Sequence, residues 1–122
     1  SIIIVALIPI ILNMFHSDTK QSIPNELRVE MSMAGFNPPI IRANAGEEIT
    51  VTLVNLDNSF HTDGGGWHQF ASDDLSFDYK IAPESTQTIT LNVDEPGEYE
   101  IYCDICCGGR ESPTMQGKII VS

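Results

Sequence analysis

Basic residues are scarce in this 122-residue chain: 6 lysines and arginines stand against 17 aspartates and glutamates, for a formal net charge of −11. Such a surplus repels nucleic-acid phosphates and anionic lipid headgroups, so neither is an expected ligand. It leaves two readings, a docking surface for a cationic partner or plain solubility, and charge alone does not choose between them. Cysteine is confined to one short stretch, at Cys103, Cys106 and Cys107. A disulfide framework needs partners spread over the fold, and that is excluded. Clustered thiols read instead as metal or redox chemistry, with a local Cys103 to Cys106 disulfide as the plain alternative. No histidine follows His68, no helical period appears after residue 16, and no internal repeat is present. With 42% apolar and 19% charged residues the chain is neither disordered nor collagenous, and its length suits one domain with its own core.

A long apolar run occurs once, over residues 2–15 (IIIVALIPIILNMF), interrupted by Pro9 and Asn13. As a helix it would reach about 21 Å, short of the roughly 20 residues that a bilayer crossing takes. The chain begins at Ser1 rather than Met, so residues 1–16 are expected to be the C-terminal part of a transmembrane helix. A signal-peptide core is the rival, but no small-residue cleavage motif follows the run. Residues 17–26 are polar and aperiodic, as in a tether. Residues 27–122 are the expected folded domain.

From Leu27 the apolar pattern has period two, the mark of strands with one buried face. Leu27, Val29, Met31 and Met33 alternate with polar residues, and residues 35–39 close that strand. Ile40 to Ala43 is a second strand, ended by the turn residues Asn44, Ala45 and Gly46. Ile49, Val51 and Leu53 mark a third. Residues 67–70, 77–81, 88–93, 98–103 and 117–121 are further strands, with Glu95, Pro96 and Gly97 as a turn. About seven or eight short strands with frequent turns predict an all-β Greek-key sandwich.

Two segments carry unusual residues. The loop over residues 57–74 (DNSFHTDGGGWHQFASDD) is longer than a hairpin needs and holds His61, three consecutive glycines, Trp67 and His68. Residues 103–115 (CDICCGGRESPTM) follow an apolar strand and precede the closing one. Thiolate, thioether and imidazole together favour copper over hard ions such as magnesium or calcium. Zinc is the competing metal, since three Cys and one His is a known zinc set. Adjacent cysteines such as Cys106 and Cys107 rarely both reach one tetrahedral ion, however, and zinc would leave Met115 without a role.

Residues 96–121 (PGEYEIYCDICCGGRESPTMQGKIIV) resemble the end of the CuA domain of cytochrome c oxidase subunit II, a member of the cupredoxin superfamily. That family's pattern is Cys, three residues, Cys, three residues, His, two residues, Met. Cys103 and Cys107 have its cysteine spacing, and Met115 before the closing strand is similar in context to its Met. His68-Gln69-Phe70, followed by Asp74-Leu75 and Pro83-Glu84, resembles the segment with its first His. The likeness covers roughly residues 28–122, and the single short anchor is similar to the one-helix form of subunit II. Two departures stand out: Glu111 takes the place of the second His, and the interval from Cys107 to Met115 is one residue longer. The missing His also departs from an ordinary blue-copper loop of Cys, His and Met.

The resemblance implies a Greek-key cupredoxin sandwich with copper held by His68, Cys103, Cys107 and Met115, a weak contact from the Ile105 carbonyl, and Glu111 as a substitute ligand. A dinuclear site is favoured over a mononuclear one. Each residue also has a plain reading: a hydrogen-bonded loop histidine for His68, core packing for Met115, a solvated carboxylate for Glu111. His61 is a surface residue unless it swings in as the second imidazole. Cys106 is an extra thiol expected to point elsewhere, and Trp67 shields the metal or offers an electron path.

By this resemblance the protein is a membrane-anchored electron-transfer domain of a respiratory or oxidase complex. Its copper domain lies outside the cell membrane, and its partners are the membrane, the other subunits and a cationic soluble electron donor. No acid/base pair or oriented nucleophile accompanies the sulfurs, so no independent catalysis is expected beyond electron entry into an oxidoreductase complex. A copper-binding or delivery subunit of a membrane copper enzyme is the alternative, supported by the altered ligand set and by Cys106. A scaffold that has lost its metal is a third reading.

Overall fold

The computed structural model describes residues 23–61 and 63–122. The expected anchor over residues 1–16 lies outside the described residues, as does most of the expected tether. Among the described residues no helix is long and apolar enough to cross a membrane, and the regular elements are strands and two 3-10 turns. The strands are β1 (Glu26–Ser32), β2 (Gly35–Asn37), β3 (Ile40–Ala43), β4 (Ile49–Asn55), β5 (His68–Ser72), β6 (Phe77–Ile81), β7 (Thr86–Leu91), β8 (Gly97–Tyr102) and β9 (Gln116–Val121). They form a four-stranded sheet in the order β2-β1-β4-β7 and a five-stranded sheet in the order β3-β9-β8-β5-β6. The pairs β1/β4 and β3/β9 are parallel and the others antiparallel.

Alternation builds the core. In β4, Ile49, Val51, Leu53 and Asn55 are buried while the intervening Thr50, Thr52 and Val54 are half-buried. β-Branched side chains of this kind pack well on a pleated, half-covered surface. Val29, Met31, Val51, Leu53 and Ile89 from one sheet join Ile41, Phe70, Ile81, Ile101 and Ile119 from the other in a single apolar cluster. β5 is the exception to alternation: all five of its residues are buried. Phe70 sits edge-on to Phe36 with centroids 5.7 Å apart and stacked on Phe77 at 5.4 Å. Such pairs add about 0.5–1.5 kcal/mol each beyond area burial.

Two expectations about strand limits are corrected. Met33 does not continue the buried row, because β1 ends at Ser32 and Met33 is 56% exposed. The chain turns there through Gly35, with φ +105 and a Cβ position only 2.0 Å from the Thr114 carbonyl oxygen, so no other residue fits. Residues 35–37 then pair antiparallel with β1 as a short strand where turn residues alone suggested an end. The strand expected over residues 88–93 runs instead over Thr86–Leu91. Val93 keeps the period but has left the ladder, and its carbonyl accepts the Gly46 N–H.

The order β9-β8-β5 positions the site. Because β8 is antiparallel to both neighbours, its C-terminal end lies beside the N-terminal ends of β5 and β9. Cys103, His68 and Met115 therefore meet at one end of the sandwich.

Candidate metal centre

His68 opens β5 and is 2% exposed. Its Nε2 lies 2.5 Å from Asp57 Oδ2. A carboxylate oxygen accepts here, so in the neutral ring Nε2 carries the proton and the Nδ1 lone pair is turned toward the sulfurs. Nδ1 faces sulfur: Cys106 Sγ is 3.3 Å away and Cys103 Sγ 4.0 Å. Asp57 is itself held in place by buried Asn55. The Asn55 side-chain amide donates to the carbonyls of Gly66 (2.7 Å) and Ile81 (3.0 Å), and its Oδ1 accepts the Asp57 N–H (2.9 Å). Gly66 fits beneath because a Cβ there would lie 2.2 Å from the Asn58 carbonyl oxygen.

Cys103 follows β8 directly. Its N–H donates to the Met115 carbonyl at 2.9 Å, and its sulfur accepts the Gln69 N–H at 3.3 Å. Cys106 Sγ lies 4.0 Å from Cys103 Sγ and is joined to Cys107 in a disulfide. The loop over residues 63–66 covers this turn. Asp63 Oδ2 accepts the Cys107 N–H at 2.6 Å, and a Cβ on Gly64 would sit 2.6 Å from the Ile105 carbonyl oxygen and 3.2 Å from Cys106 Cβ.

Burial opposes charge on both central groups, and their mutual bond overrides it. Desolvation lowers the His68 pKa, but the bonds to Cys103 and Asp57 and their charges carry it above the ordinary 6.5. Desolvation raises that of Cys103, but His68, the backbone N–H groups of Gln69 and Ile105, and the imidazolium charge bring it below the ordinary 9.0. The thiolate, the form that binds metals, is thereby favoured.

Among the described residues, one set of three potential ligands converges: His68, Cys103 and Cys106, all buried, with ligand atoms within 4.8 Å of one another. Two of these were expected. Cys106, expected from the sequence to point elsewhere, instead faces the imidazole, and its Cys, two residues, Cys spacing from Cys103 across a tight turn is the signal for it. Cys107 is bonded to Cys106 and lies outside that set, with φ +64. The disulfide is thus Cys106–Cys107 rather than Cys103 to Cys106. Met115 is buried beside Cys103, bonded to it through its backbone. The Ile105 carbonyl packs against Gly64, and Glu111 is exposed. His61 is half-buried: its Nδ1 accepts the Asp63 N–H at 3.2 Å, and its Nε2 has no partner among the described residues. Trp67 is 43% exposed. Asp57 was not foreseen, since nothing in an 11-residue separation marks it as the partner of His68.

Buried soft donors with an oriented imidazole suit a thiophilic metal. Residues 3–121 match the cupredoxin-like domain family. Nitrous-oxide reductase of Stutzerimonas stutzeri is 33% identical over 99 residues, 80% of this chain, which spans only 15% of that enzyme's length. Among solved structures, the metal-binding domain of the Cu(I)-exporting P-type ATPase CopA of Streptococcus pneumoniae D39, with Cu(I), superposes with a TM-score of 0.61 at 16% identity, covering 83% of this chain and 91% of that one. A chain of a heme-copper terminal oxidase dimer gives a TM-score of 0.60 at 17% identity, covering 97% and 96%. At these identities the structural likenesses speak for the fold alone.

Proposed function

The chain belongs to the cupredoxin-like domain family, and from that premise we propose that it is a copper protein that transfers electrons from a membrane-anchored position. The observation that carries this reading is the convergence of His68 Nδ1, Cys103 Sγ and Cys106 Sγ in a buried cluster at the shared end of β5, β8 and β9. Imidazole and thiolate are donors that copper accepts in both oxidation states. One-electron cycling is the chemistry that bound copper supplies. The protein's part is to gather the donors where β5, β8 and β9 meet, to lower the pKa of Cys103 toward its thiolate, and to orient His68 through Asp57.

The finer reading is CuA-like. With the Cys106–Cys107 pair reduced, Cys107, at the family spacing, would hold copper together with Cys103 and His68. Met115 and the Ile105 carbonyl would be further ligands, and Glu111 or His61 would serve a second copper. The domain would then stand on the extracytoplasmic face of the cell membrane beside the other subunits of a respiratory complex. Its 17 acidic residues would favour a cationic soluble donor. A copper-delivery role is the second reading, favoured by the place of Cys106 in the cluster and by the single imidazole there.

Copper loading of the thiol-reduced chain, followed by metal analysis, absorption and electron paramagnetic resonance, tests these readings. Two coppers per chain sharing one unpaired electron is the expected result. One copper with an ordinary single-nucleus signal rejects the dinuclear form. Rapid release of Cu(I) to a chelator without visible absorption supports delivery, and no uptake at all rejects a copper protein.

A further inference from the structure

Three sulfurs run from the surface into the pocket. Cys107 is half-buried, Cys106 is 4% exposed and disulfide-bonded to it, and Cys103 is 1% exposed with its sulfur 4.0 Å further in. We infer that Cys107 is the site at which a dithiol reductant enters by thiol–disulfide exchange, releasing Cys106 as a free thiolate facing His68. The consequence for metal binding rests on the copper reading above; the exchange itself does not.

Either sulfur of a disulfide can be attacked, and access decides which. Gly64 packs over the Cys106 turn and Cys106 is only 4% exposed, whereas Cys107 is half-buried. Cys107 is the open end. A reductant thiolate attacks Cys107 Sγ, forming a mixed disulfide and breaking the Cys106–Cys107 bond. The electron pair leaves on Cys106 Sγ, which sits 3.3 Å from His68 Nδ1. The second thiolate of the reductant then attacks its own half of the mixed disulfide and frees Cys107. In balance, two protein sulfurs are reduced and the dithiol becomes a disulfide. While the bond stands, the cluster offers the Cys103 sulfur and one imidazole; once it opens, the Cys106 sulfur is added.

The chemical class of the reductant follows from the surroundings of Cys107. The Asp63 carboxylate bonds its N–H, and the chain carries a charge of −11. An anionic thiol meets repulsion here, and a dithiol with a neutral or cationic approach face does not.

The test uses the full chain in its disulfide form. Substoichiometric cysteamine, a cationic thiol, is added, released thiols are capped with iodoacetamide, and both marks are placed by peptide fragmentation. The expected result is cysteamine on Cys107 and the cap on Cys106, forming roughly tenfold faster than with anionic glutathione at low salt. The gap should narrow in Asp63→Asn. Cysteamine on Cys106, or equal rates for both thiols, overturns the inference. In parallel, Cu(I) uptake is compared before and after dithiothreitol. Equal uptake overturns control of the pocket by the disulfide. No uptake in either form counts against the copper reading, while the mapping still decides the exchange.

Discussion

The four-stranded sheet β2-β1-β4-β7 and the five-stranded sheet β3-β9-β8-β5-β6 contribute comparable rows of buried aliphatic side chains. The converging donors, however, all belong to the second: His68 on β5, and Cys103 and Cys106 on the connection from β8 to β9. Antiparallel neighbours bring a strand end beside two strand starts, so three connections meet at one place. The four-stranded sheet reaches the site through Asn55, the last residue of β4, and Asp57 just beyond it, while Gly35 of β2 packs against Thr114. One sheet therefore supplies donors, and the other, with the connection that follows β4, supplies cover and the carboxylate that orients His68.

The largest expected break in this division is Cys103→Ser, which should abolish copper uptake while far-ultraviolet circular dichroism stays that of the parent. Retained uptake in a Cu(I) competition titration would remove Cys103 from the centre. Cys106→Ser and Cys107→Ser then separate the two forms of the centre: a larger loss of uptake in Cys106→Ser assigns the ligand to the sulfur beside His68, and a larger loss in Cys107→Ser assigns it to the CuA spacing.

Leu53→Ala probes the other sheet. Leu53 is fully buried, and a Leu→Ala truncation of that kind costs about 2–5 kcal/mol. Urea unfolding should show the loss, with copper affinity per folded molecule unchanged. A fall in affinity as large as that of Cys106→Ser would erase the distinction between the sheets.

Asp57→Asn tests the carboxylate that orients His68. Loss of an outer partner of a ligating histidine typically lowers metal affinity about 10–100-fold. In the metal-free chain the raised pKa of His68 contributes stability that is complete below pH 6.5 and is lost as pH rises through the folded value. Removing the Asp57 bond and charge should lower that pKa, which a nuclear magnetic resonance titration of the His68 ring reads directly. An unmoved titration would show that Asp57 does not govern the imidazole.

Arg110→Ala should have the smallest effect. Its guanidinium lies 3.9 Å over the Tyr102 ring and 2.6 Å from Asp73, and that bond holds Asp73 below the ordinary 3.8. The contribution is present above pH 3.8 and is lost as pH falls through the folded value. Parent and variant melting temperatures should differ slightly at neutral pH and converge in acid, with copper uptake unaffected. A large loss of uptake would make this surface network part of the centre.

Much of the sandwich was legible because period two is a local property. The alternating Val29, Met31, Val51 and Leu53 announce their own buried face. β2 was hidden, since Gly35 looks like any turn glycine until Thr114 is seen against it. The same holds at the site. His68 and Cys103 stood out by residue type and by their places at strand ends, whereas Asp57 had no mark of its own.

Residue chemistry and spacing by themselves determined an all-β domain with imidazole and sulfur gathered on two loops, because strand period and donor type are carried by each short segment. Which sulfur meets the imidazole was left to the tertiary structure. It depends on the backbone turning to φ +64 at Cys107, on Asp63 bonding that residue's N–H from 44 positions away, and on Gly64 leaving room for Cys106 to lie beneath it. Direction in a tight turn is set by what packs against it, and those contacts come from distant parts of the chain.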